Sequence, residues 1–162
     1  MIANRLIIAV SMCLLAVTAH VNANTSNTDS MWPGTRYDAK IPTFKQVLGY
    51  DVGERIANHQ EMRRYFEALQ KAAPDRMKLF NYATSWEGRQ LIYVAIGKAE
   101  NIKALDDITA QTQALADPRV TSKKQADKII KNLPASVWLQ HAVHGNEIST
   151  TDAAMFTAYH LL

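Results

Sequence analysis

Apolar residues return at a helical period between Asn58 and Ala73, where Met62, Tyr65, Phe66, Leu69 and Ala73 fall at i, i+3, i+4, i+7 and i+11. Asn58 can cap this helix, Glu61 three residues on completes a capping box, and Pro74 ends it. The pattern then changes to two short strand-like runs, Met77 to Ala83 and Gln90 to Ile96, the second dense in branched and aromatic residues. Thr84-Ser85-Trp86-Glu87-Gly88-Arg89 separates them, a length suited to a hairpin or strand connection. Asn101 to Ala116 and Lys123 to Lys131 read as polar surface helices, stopped at Asp117-Pro118 and near Pro134. Ser136-Val137-Trp138-Leu139-Gln140 is a continuous apolar run of the kind that forms a strand buried on both faces. From Ser149 to Leu162 small and apolar residues favour a closing helix, with Ser149 or Thr150 as its cap. The alternation predicts an α/β domain whose sheet is mixed, mainly parallel and flanked by helices.

The two ends change this picture. Residues 1–23 read as a secretory signal peptide: Arg5 is the positive start, Leu6 to Ala19 the apolar stretch, and Val21-Asn22-Ala23 the small-residue cleavage site. About 14 apolar residues fall short of the roughly 20 that cross a bilayer, so no membrane anchor is expected once the signal is removed. Cys13 does not suit a lipoprotein cysteine, because Met12 is bulky and the apolar stretch would be cut in half. A secreted or periplasmic location follows, and Cys13 is the chain's one cysteine. The mature chain therefore has no disulfide to lean on and must be held by a core, by metal, or by both. Residues 24–42, largely polar with Trp32-Pro33-Gly34 inside them, read as an extended N-terminal arm carrying a turn. At the other end His160-Leu161-Leu162 stops in mid-helix without Gly, Asn or Pro, the expected mark of a truncated domain over residues 43–162.

Composition adds exclusions. With 162 residues, 48% hydrophobic and 20% charged, the chain suits at most one globular domain. Its net charge of +3 is scattered rather than striped, too weak a signal for a nucleic-acid partner. Oligomeric state is not encoded legibly.

The informative chemistry is His144-Gly145-Asn146-Glu147. An imidazole and a carboxylate three residues apart on a turn can converge on one ion, and zinc accepts that donor pair, a catalytic site using three protein ligands plus water. Gly145 offers the conformational freedom a tight turn needs. The position suits a site too, since open α/β sheets place theirs beyond the carboxyl ends of strands. The plainer reading is a histidine hydrogen-bonded in a turn. His141 shares the three-residue spacing to His144 and reads either as a ligand or as a core or supporting histidine. His-Glu-x-x-His and His-x-x-Glu-His are both absent, which excludes the helix-borne zinc proteases.

Entered from Val137 to Gln140, His144-Gly145-Asn146-Glu147 resembles the first zinc motif of the carboxypeptidase A family of metallopeptidases. Upstream, Ser85-Trp86-Glu87-Gly88-Arg89-Gln90-Leu91 resembles that family's Ser-x-Glu-Gly-Arg segment, in the matching order. The likeness runs from about Phe44 to Leu162 and includes Ala73-Pro74-Asp75-Arg76. It implies one zinc ion with His144 and Glu147 as two of three ligands, and a substrate that is the C-terminus of a peptide or protein. Ser85, Glu87, Gly88 and Arg89 map to a structural segment, with Ala83 where the family usually has Gly. The long stretch Lys98 to Leu133 matches larger bacterial members better than compact digestive enzymes. The family's third ligand, its general-base Glu and its carboxylate-gripping Arg lie well beyond the first motif, so the chain is expected to be an N-terminal fragment inactive alone. Two rivals remain: an aspartoacylase-like amidohydrolase, whose zinc loop can also read His-Gly-Asn-Glu, and a non-catalytic module binding peptides or cell-wall fragments.

Overall fold

A computed structural model describes residues 32–162. The expected signal peptide and residues 24–31 of the arm lie outside these residues. The elements are α1 (Phe44–Leu48), α2 (His59–Ala72), β1 (Met77–Thr84), β2 (Gln90–Ile96), α3 (Ala99–Lys103), α4 (Leu105–Ala116), α5 (Lys123–Asn132) and α6 (Ser149–Leu161).

The helical stripe read from Met62 to Ala73 is the buried side of α2, where Tyr65 and Leu69 lose all contact with water. Its start is capped as the sequence predicts: Asn58 accepts from the Glu61 N–H at 3.0 Å, and Glu61 accepts from the Asn58 N–H at 3.0 Å. Thr43 and Gln46 form the same reciprocal box at α1, and Gly49 closes that helix in the left-handed conformation. Tyr65 buries its ring yet keeps its hydroxyl satisfied by donating to the Pro42 carbonyl at 3.0 Å.

The two strand-like runs form an antiparallel hairpin with Met77 opposite Ile96, Leu79 opposite Val94 and Phe80 opposite Tyr93. Because side chains alternate along a strand, Met77, Leu79, Ile92, Val94 and Ile96 share the face packed on the core. Phe80 and Tyr93 stack on the opposite face, with ring centres 4.7 Å apart. Tyr82 is the extra residue of a bulge between Asn81 and Ala83 and stands out into solvent.

Against α2 lies α6, which buries Met155, Phe156, Ala158 and Tyr159. Its far end is clasped from two directions. Arg76 donates to the carbonyls of Leu161, at 3.0 Å, and of Leu162. Trp32 stacks on His160 at 4.1 Å between centres, Tyr37 stacks on Tyr159 at 4.8 Å, and the Tyr37 hydroxyl meets His160 Nδ1 at 3.0 Å. The described part of the arm, with its turn closed by Thr35 N–H on the Trp32 carbonyl, thus lies across α6.

Three expectations are corrected. The sheet of the described residues has two antiparallel strands, not a mainly parallel set. The missing member is the run 136–140, which has no strand pairing and leaves Val137 81%, Trp138 77% and Leu139 57% exposed. An apolar run marks a segment that gains by burial, but a strand also needs a neighbouring backbone edge and a layer on each face; here the Trp138 ring lies 6.2 Å from Tyr93 of the hairpin, and the backbone of the run is unpaired among the described residues. The helix expected over 101–116 is broken at Ala104 into α3 and α4. Finally, neither Ser149 nor Thr150 caps α6; Thr150 sits inside its first turn and donates backwards to the Glu147 carbonyl.

Candidate metal centre

His144 to Glu147 forms one tight turn, closed by the Glu147 N–H donating to the His144 carbonyl at 3.1 Å. A turn of this type holds its first and last Cα atoms within about 7 Å, so the backbones bearing the imidazole and the carboxylate are neighbours. Both side chains are exposed. Neither takes part in a hydrogen bond or ion pair among the described residues, so neither must surrender a partner to accept an ion. The chemistry of the pair suits zinc, which takes nitrogen and oxygen donors together. The number does not complete a site: among the described residues no group of three or more His, Cys, Asp or Glu is placed to hold a metal. His144 and Glu147 therefore fit as part of a zinc donor set.

The left-handed backbone of this loop falls at Ala142, not at Gly145. Gly145 is not in the left-handed region, and a Cβ there would meet nothing within 4 Å. Ala142 is the left-handed residue, at φ +56°. An alanine in that region stores a small strain. His141 is exposed, so the reading of it as a core histidine does not hold.

Ser85 to Arg89 is closed on itself. The Ser85 N–H donates to the Arg89 carbonyl at 2.8 Å, the Arg89 N–H to Ser85 Oγ at 3.1 Å, and the Gly88 N–H to the Ser85 carbonyl at 2.9 Å. Gly88 is left-handed at φ +79°, which explains glycine at that position. Glu87 and Arg89 form an exposed ion pair and Trp86 is fully exposed. These interactions hold the hairpin's end, a structural task.

The sequence reading missed Asp152, the one buried polar or charged residue among the described residues. It accepts the Ala57 N–H at 3.2 Å. Burial pushes its carboxyl above the usual carboxylate range, the Ala57 hydrogen bond opposes this, and the Glu61 charge adds to the rise. A lone Asp among the small residues of a helix gives no periodic sign that it faces inward.

The sequence model of the zinc carboxypeptidase family matches residues 62–162. That is more than half of the chain, and the chain belongs to the zinc carboxypeptidase family. The matched span begins inside α2 and contains both the Ser85–Leu91 segment and the His144–Glu147 turn. No curated protein and no solved structure matches the chain. Among the described residues no helix is long and apolar enough to cross a membrane.

Proposed function

We propose that this protein is a secreted zinc metallocarboxypeptidase, releasing the C-terminal residue of a peptide or protein, with His144 and Glu147 as two of its zinc ligands. The observation that carries the reading is a turn in a family member that sets an unengaged imidazole and carboxylate three residues apart. Zinc, when bound, supplies Lewis acidity at the carbonyl of the bond to be cut. The part of this chain is to present one nitrogen and one oxygen from a single loop, anchored on α6.

Residues 43–162 are on this reading the N-terminal part of the catalytic domain, and the chain alone does not turn over substrate. Two features support this. The donor set is short of the three protein ligands of a catalytic zinc. Val137, Trp138 and Leu139 also leave large apolar side chains in water, each of which gains about 1.5–3 kcal/mol on full burial. They are surfaces that a further layer of sheet and helix would cover.

Zinc titration of the chain against a chromophoric chelator tests the ligand assignment. Removal of supporting residues around metal sites costs about 10–100-fold in affinity, and removing a ligand should cost at least the lower figure, so His144→Ala and Glu147→Ala should each weaken binding about tenfold or more. Unchanged affinity in either variant would remove that residue from the donor set. Peptides offered to the chain with added zinc should stay intact; turnover abolished by His144→Ala would show that two ligands suffice. Binding of peptide by a longer form that has a complete donor set yet cuts nothing would favour the non-catalytic module instead.

A further inference from the structure

A loop that presents ligands needs a fixed base, and the His144–Glu147 turn is attached on one side. Beyond its own closing bond, its hydrogen bonds go to Thr150, whose backbone N–H and Oγ1 donate to the Glu147 carbonyl at 3.1 and 2.6 Å. Thr150 belongs to the first turn of α6, so the metal turn goes where that helix end goes. On its other side, residues 134–142 have no regular secondary structure, and 136–142 are exposed.

What fixes the start of α6 is Asp152, three residues beyond Ser149 in its first turn. Apolar packing of Met155, Phe156 and Tyr159 holds the middle and end of the helix, but such contacts are non-directional and tolerate small rotation and sliding. The bond from the Ala57 N–H to Asp152 Oδ1 is directional and joins residues 95 apart in sequence. Ala57 immediately precedes Asn58, the cap of α2, so the tie locks the start of one helix to the start of the other. Among the described residues no ion pair meets the Asp152 carboxylate to offset its burial. An apolar residue would fill the same space without that desolvation. The carboxylate is better explained by what it orients than by what it stabilises.

We propose that Asp152 is the positioning residue of the metal turn: by holding the Ala57 N–H it sets the rotation of the first turn of α6, and through Thr150 the placement of His144 and Glu147. This rests on the reading of those two residues as zinc ligands. Binding and tie are then coupled, and coupling is reciprocal, so an ion at the turn must strengthen the Asp152 tie as the tie strengthens binding.

The test uses the full chain with zinc alone as the probe. Amide exchange of the unaltered protein should slow at Ala57 and Thr150 when zinc is added. Asp152→Asn keeps an oxygen for the Ala57 N–H and should bind zinc within about twofold of the unaltered chain, whereas Asp152→Leu should bind about tenfold more weakly or worse. If the unaltered chain binds zinc no better than His144→Ala, the ligand assignment falls and this proposal with it. If it binds better but Ala57 exchange ignores zinc, or Asp152→Leu binds as tightly as the unaltered chain, or Asp152→Asn loses as much as Asp152→Leu, the ligands stand and the positioning role is overturned. Should Asp152→Leu fail to fold, the exchange at Ala57 in the unaltered chain decides.

Discussion

Leu69→Ala is expected to lower the unfolding free energy by about 2–5 kcal/mol, the range for deleting a fully buried leucine from a packed core. Leu69 has no exposed surface and lies on the inner stripe of α2 beside Tyr65, on the helix that contacts both β1 and α6. The cost combines the lost transfer of the side chain with the cavity left behind. Domains of this size are stable by roughly 5–15 kcal/mol in total, so the variant should show a visibly earlier urea transition with an unchanged slope. A loss below about 1 kcal/mol would mean that the core around α2 collapses to fill the space or is not packed as described.

The second effect depends on pH. Burial raises the Asp152 carboxyl above its ordinary value, the Ala57 N–H restrains the rise, and the charge of Glu61, itself paired with Arg55, reinforces it. A carboxyl whose folded value exceeds its unfolded one binds its proton more tightly in the fold. Its favourable contribution is therefore complete below the unfolded value of about 4 and is lost as pH rises through the raised folded value. Asp152→Asn has nearly the same shape, keeps an acceptor for Ala57, and carries no charge to bury. The variant and the unaltered chain should have similar urea midpoints near pH 3. From about pH 4 upward the variant should gain, until Asp152 is fully ionised and the gap becomes constant. The opposite slope, with the unaltered chain gaining as pH rises, would show that the fold prefers the ionised carboxylate and would remove the account of its burial.

How far the fold could be read from the residues depended on whether the signal was local. The inner face of α2, its Asn58–Glu61 cap and the hairpin runs rest on period and capping chemistry within one segment, and they stand where the pattern puts them. The run Val137–Leu139 shows the limit of composition: its residues state a need for burial, but pairing requires an edge supplied by another part of a structure. The break at Ala104 has no marker, since alanine is the best helix former. Trp32 and Tyr37 looked like residues of an arm, and nothing local says that they meet His160 and Tyr159.

The same distinction applies to the site. The donor types and spacing of His144 and Glu147 are legible because a turn of four residues brings its ends together by itself. Gly145 lies inside that turn without taking up the left-handed region, since glycine permits unusual backbone but does not require it; the left-handed residue nearby is Ala142. Asp152 escaped notice because its partner is a main-chain amide, which every residue but proline carries, so no sequence pattern can announce the pair.

The contacts that clasp α6 span great lengths of chain: 123 residues from Tyr37 to His160, 95 from Ala57 to Asp152, and 86 from Arg76 to Leu162. Closing loops of that size lowers chain entropy before any of these contacts can compensate. The hairpin and the capped helices close within themselves and can form early. The last helix, with the His144–Glu147 turn hung on its start, is thus expected to dock after the hairpin and the capped helices have formed, and the placement of that turn is settled late in folding.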